Sequence, residues 1–153
     1  MLPSWLNHNM KDLTKYPGKW ETCYKMFIKR GGRLTSCMYI CDNDLGYSPL
    51  FVYSSNTVNV PEFGKFFVFK DLPTWRTLSE ISNDPDRRVY RCRGLNLVPA
   101  QFRGFTSTSN KNFYLDFWLN KSEVCYTPKD TFYADAIVID KNVTESVLIW
   151  PKD

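Results

Sequence analysis

Arg91 and Arg93 stand two residues apart in "RRVYRCRGL", Ser107, Thr108 and Ser109 lie together in "GFTSTSN", and Glu145 is the lone carboxylate of "VTESVLIWP". A guanidinium presents a planar fork of donors that can grip phosphate oxygens in two places, as an ammonium cannot. Residues two apart on a strand point to one face, so either arginine can serve the same anion. Hydroxyls can donate to a carboxamide or a sugar oxygen without adding charge. A fixed carboxylate stabilises positive charge that exists mainly in a transition state, such as the oxocarbenium-like state of glycosidic bond cleavage. Each group also has a plain structural use. "TSTSN" ahead of "KNFYLDF" suits a helix cap. Paired arginines suit a solvated strand that discourages further pairing, and Glu145 suits the polar side of a half-buried terminal strand.

The elements that must position these residues are mostly strands. Residues 1–20, broken by Pro3, Pro17 and Gly18, read as an irregular N-terminal lead, and 21–153 as a single domain. "TCYKMFI" is β-rich and is stopped by "KRGGR", whose adjacent glycines suit a turn with positive φ, so "LTSCMYIC" is expected to pair back as a hairpin. "DNDLGYSP" reads as a loop, and "LFVYSS" and "KFFVFKD" as strands. In "LPTWRTLSEISND", residues 72–84, Leu72, Trp75, Leu78 and Ile81 recur at spacings of three, which predicts a helix capped by Asp71 and ended before Pro85. "RRVYRCRGL" returns to strand. A second short helix is expected to begin near Asn110, with strand as the alternative, and "TFYADAIVIDKN" and "TESVLIWP" are expected to close the chain as β segments. The fold class is α+β: mostly antiparallel sheet with one or two covering helices. The expected core includes Phe67, Phe69, Trp75, Leu78, Val89, Ile137, Ile139 and Leu148, with Phe66 in the same aromatic stripe.

Composition excludes several function classes. At 153 residues, 43% of them apolar, the chain can bury a real core. Its apolar runs fall far short of the about 18 residues a membrane helix needs, and no basic start with an apolar stretch marks a secretory signal, so a soluble, cytoplasmic protein is expected. Five scattered cysteines fit reduced thiols better than a disulfide framework. Cys37 and Cys41 have no second pair behind them and the single histidine, His8, is distant, so no metal is expected and hydrolytic triads are discounted. The net charge of +4 is spread over isolated basic residues, which argues against a nucleic-acid groove.

The order "VYRCRGL", "GFTSTSN", "VTESVLIWP" resembles the Arg, Ser-Thr-Ser, Glu arrangement of mono-ADP-ribosyltransferases. The resemblance covers the C-terminal part of the chain. It implies NAD as cofactor, with Arg93 (or Arg91) on the dinucleotide, Ser107, Thr108 and Ser109 shaping the nicotinamide pocket, and Glu145 stabilising the ribosyl cation for transfer to a protein target. A second resemblance, covering more of the chain, is to small uncharacterised proteins of large DNA viruses and bacteriophages. It implies an accessory or virion protein, in host cytoplasm or virion, that works by binding a protein partner or a copy of itself. Nine Tyr and five Trp supply interface anchors for that alternative where they are exposed.

Overall fold

A computed structural model describes residues 13, 15–37, 39–42, 46–100, 118–119, 128 and 130–150. In chain order the strands are β1 (Trp20–Arg30), β2 (Arg33–Thr35), β3 (Tyr39–Asp42), β4 (Gly46–Pro49), β5 (Val52–Tyr53), β6 (Val58–Asn59), β7 (Phe66–Phe69), β8 (Arg87–Leu95), β9 (Val98–Pro99), β10 (Thr131–Ala134) and β11 (Ile137–Asn142). Helix α1 (Trp75–Leu78) lies between β7 and β8, and a 3-10 turn (Thr144–Ser146) follows β11. The described residues are mostly antiparallel sheet, as expected. The path runs β6-β11-β8-β1-β7-β10-β9, β2 continues from β1 to β5, and β3 with β4 forms a separate two-stranded ribbon.

The spine is the β1–β8 ladder, in register from Trp20↔Leu95 to Ile28↔Arg87. Partners across a ladder share a face, so the register sorts the side chains into two layers. One layer holds Cys23, Phe27, Cys92, Phe66, Val68, Ala134, Ile137 and Ile139, closed over by Leu34 and Tyr53 from β2 and β5. The opposite layer holds Met26, Phe69 and Val89 beneath Leu78 of α1 and Val147, with Leu72 and Trp75 partly buried beside them. The turn from β1 to β2 uses Gly31 and Gly32 at φ +57 and +76, a conformation that carries no Cβ penalty in glycine.

Several expectations need correction. The helix spans Trp75–Leu78 rather than about 72–82, and its cap is Thr74, whose hydroxyl accepts from the Thr77 N–H, not Asp71. The chain leaves helical geometry soon after Ser79, so Ile81 stays exposed while the earlier residues of its stripe pack on the sheet. "DNDLGYSP" contributes β4 instead of only a loop, because Gly46–Pro49 pairs with β3. "TFYADAIVIDKN" is two strands that do not pair with each other: β10 pairs with β7 and β9, β11 with β8 and β6. The described part of "TESVLIWP", residues 144–150, forms no strand. The Asn142 carboxamide accepts from the Thr144 N–H at 3.0 Å, which turns the chain into the 3-10 turn. Leu148 is exposed, not core. Phe67 is half-buried against Trp118 and Tyr133, since it faces away from Phe66 and Val68. The helix expected near Asn110 lies outside the described residues apart from Trp118 and Leu119.

Phe27, fully buried and edge-on to Tyr53 at 4.8 Å and Tyr90 at 5.7 Å, is a better reporter of the core than Phe67. Urea denaturation of Phe27→Ala is expected to show a loss of about 3–5 kcal/mol, and Phe67→Ala a distinctly smaller one. Equal losses would contradict the layer assignment.

Candidate functional site

Arg91 and Arg93 do share one face of β8, opposite Tyr24 and Thr22 of β1. Arg91 makes a two-pronged ion pair with Asp140: Nε donates to Oδ2 at 2.6 Å, and Nη2 to the same oxygen. Asp140 is the extra residue of a β-bulge, where β8 advances from Cys92 to Arg91 while β11 advances from Ile139 to Lys141. A bulge re-aims one side chain, and here it brings a nearly buried carboxylate onto the guanidinium. Arg93 meets no carboxylate among the described residues. Its Nη1 donates to the Thr22 hydroxyl at 3.1 Å and its Nη2 to the Trp20 carbonyl at 2.8 Å, while its buried Nε has no hydrogen-bond partner. Burial therefore lowers the Arg93 pKa, with Cys23 and Glu21 acting in the opposite sense.

Glu145 sits exposed in the 3-10 turn, beyond the Val89 end of β8. That turn is fastened to β8 by Thr144, whose hydroxyl accepts from the Val89 N–H at 3.0 Å. Val147, two residues on from Glu145, is buried in the α1 layer. Ser107, Thr108 and Ser109 lie outside the described residues, so the structure relates Glu145 and the two arginines to the same sheet but says nothing of the hydroxyl cluster. Among the described residues, no group of three or more His, Cys, Asp or Glu side chains is placed to hold a metal, and no helix is long and apolar enough to cross a membrane. Comparison with protein-family models, curated proteins and solved structures finds no match.

Two features went unread in the sequence. Lys25 points into the Cys23–Phe27 layer, where Nζ donates to the Phe67 carbonyl at 2.6 Å and lies 5.9 Å and 6.0 Å from the Tyr53 and Phe66 ring centres. The residue keeps some exposed surface but its amino group is enclosed, and burial holds its pKa below the ordinary lysine value of 10.5. The surrounding thiols are pushed the other way by the same cause, Cys23 up to about 12 and Cys37 up to about 11. Alternation in "ETCYKMF" marks Lys25 as an inward position, but a lysine there reads as an interruption until a carbonyl is found for it. The second feature is the run Leu148, Ile149, Trp150, exposed at 50%, 65% and 59%. The Leu148 carbonyl accepts from the Trp75 N–H at 2.8 Å, and the Arg76 guanidinium lies 4.6 Å from the Trp150 ring centre. The main chain is thus anchored while the side chains face outward.

The Lys25 shift has a signed consequence. Between its lowered folded pKa and 10.5 the unfolded chain binds a proton that the folded chain does not, so its contribution to stability rises with pH across that window. Thermal unfolding of wild type and Lys25→Met, in which the cysteines are common to both, is expected to show wild type gaining on the variant as pH rises through the lowered Lys25 pKa toward 10.5. A difference that stays level with pH would mean the amine is not desolvated.

Proposed function

We propose that the protein acts by binding another protein through the surface of Leu148, Ile149 and Trp150 beside α1. The observation that carries this reading is the exposure of three consecutive large apolar side chains on an anchored backbone. Monomeric soluble proteins rarely present contiguous apolar surface without a use for it, and tryptophan is over-represented among residues that dominate interface energy. The reading takes the domain as α+β, with α1 both covering the sheet and buttressing this surface. A viral accessory or virion protein, in host cytoplasm or particle, is a setting consistent with the second sequence resemblance. Trp150→Asp tests it. The variant is expected to unfold within about 0.5 kcal/mol of wild type, as exposed substitutions usually do, while partners recovered by crosslinking in expressing cells are lost. Unchanged partners would overturn the reading.

A second reading follows the Arg, Ser-Thr-Ser, Glu order: transfer of ADP-ribose from NAD to a protein, or hydrolysis of NAD. Arg91 and Arg93 would hold the pyrophosphate, Ser107, Thr108 and Ser109 would line the nicotinamide pocket, and Glu145 would stand by the ribose. Its support is the common face of the two arginines and, among the described residues, the lack of a carboxylate on Arg93. Glu145→Gln is expected to lower nicotinamide release by orders of magnitude with little loss of NAD affinity by calorimetry, because the carboxylate acts on the transition state. Wild type that neither binds nor consumes NAD would remove this reading and leave the first intact.

A further inference from the structure

We infer that Cys23 and Cys92 form a reversible redox site, closing to a disulfide across the β1–β8 ladder when the protein meets a small-molecule disulfide as oxidant. The two residues are direct partners in that ladder, and direct partners share a face. Both are free thiols with no exposed surface, packed in one apolar layer under Leu34 and Tyr53. At one end of β8 the Leu95 N–H donates to the Ala136 carbonyl and the Leu95 carbonyl accepts from the Asp135 N–H, and toward the other end the Val89 carbonyl accepts from the Val143 N–H. Odd-numbered residues of β8 thus turn their main-chain groups away from β1, and the alternation of an antiparallel strand turns those of Cys92 toward Cys23. Partners in such a pair stand about 5.5 Å apart at Cα, within the commonest Cα separation of disulfides, so the bond needs no slip or separation of the strands.

In the reduced protein the two sulfurs lean apart. Cys23 Sγ lies over Gly94, where a Cβ would come within 2.9 Å of it, and the Cys92 thiol donates to the Tyr90 carbonyl at 3.7 Å. Gly94 is opposite Glu21 and Tyr90 opposite Lys25, so these contacts lie on either side of the cysteine pair, and rotation about the two Cα–Cβ bonds brings the sulfurs together. Burial pushes the Cys23 thiol up to about 12 and holds Cys92 well above its ordinary value, while Lys25 acts in the opposite sense on both. Both therefore rest as thiols, and attack begins when the Leu34 and Tyr53 cover opens. One thiol loses its proton and attacks the oxidant's S–S bond, which gives a mixed disulfide and releases one small thiolate. The second protein thiol loses its proton and attacks the sulfur of the first, releasing the other small thiolate. The two thiolates take up the two protons, so the protein loses two electrons and the oxidant's S–S bond gains them. Directly opposed Cβ atoms start about 4.5–5.5 Å apart against about 3.8 Å in a disulfide, so the closed bond carries strain and is readily reduced again.

Equilibration of the folded protein in glutathione buffers of rising disulfide content, followed by acid quench, alkylation and peptide mass mapping, tests the inference. Wild type is expected to yield a peptide pair joined through Cys23 and Cys92, and excess reduced glutathione to restore both thiols. The variant carrying Cys37→Ser, Cys41→Ser and Cys125→Ser keeps only the proposed pair and is expected to behave alike. Because the ladder has already closed the long loop between residues 23 and 92, the oxidation constant of this folded variant is expected to exceed that of the same chain unfolded in guanidinium chloride by at least about tenfold. Cys23 and Cys92 that stay thiols at every ratio overturn the inference, as does a bond formed instead to Cys37, Cys41 or Cys125. Folded and unfolded constants that agree also overturn it, since the fold then does nothing to bring the sulfurs together.

Discussion

The β1–β8 ladder is the constraint on which the rest depends. Nine consecutive pairs, Trp20↔Leu95 through Ile28↔Arg87, fix which side chains meet, and the side-chain period of two lets no partial error survive. A slip of β8 by one residue along β1 would carry Cys92 out of one layer and Val89 out of the other. It would also drive Arg91 and Arg93 into the layer now occupied by Phe66 and Ile139. Both layers are apolar where they face α1 and β5, so the correct register is strongly favoured by burial alone.

The ladder also creates a difficulty that Lys25 resolves. β1 pairs with β7 at Tyr24↔Phe69, but from Ile28 onward the same strand pairs with β2. Where the two strands part, the Phe67 carbonyl accepts from the Lys25 amino group. A carbonyl buried without a donor costs free energy comparable to a lost hydrogen bond. Desolvation of the amine offsets part of that gain, which is why its pKa falls. A comparable bracket closes the far end of the sheet. Burial alone would raise the Asp135 pKa, yet hydrogen bonds from Lys65 and Asn96 outweigh it and hold the carboxyl below its usual range. Asn96 in turn accepts from the Lys19 N–H at 3.0 Å, tying the approach to β1 onto the end of β8.

What the sequence disclosed follows from how local each signal was. The Gly31–Gly32 hairpin, the strands at "KFFVFKD" and "RRVYRCRGL", and the shared face of Arg91 and Arg93 depend on nearest neighbours and a period of two, and these were legible. The Asp140 partner of Arg91 was not, because a bulge changes register without any mark of its own in "AIVIDKN". The helix was located but overextended, since a stripe at spacings of three runs on through Ile81 while the Thr74 cap and the turn after Ser79 bound it at four residues. "SVLIW" misled for a related reason. Its apolar character resembles a buried strand, but Asn142 and Thr144 turn the chain off the β8 ladder, and only Val147 reaches the core.

The two arginine environments bear on where a ligand can engage without disturbing the fold. The Arg93 terminal nitrogens already donate to the Thr22 hydroxyl and the Trp20 carbonyl, bonds that hold the entry of β1 against β8, and its Nε is buried. Arg91 is engaged by Asp140, whose nearly buried carboxylate depends on that cation. Arg76 differs: it is exposed, bonded to no carboxylate among the described residues, and rests on an indole face that leaves its N–H donors free for a partner. An incoming carboxylate at Arg76 meets an exposed guanidinium, whereas an incoming phosphate at Arg91 or Arg93 meets guanidiniums already partly engaged and partly buried within the sheet. That asymmetry favours recognition at the α1 surface over binding within the sheet.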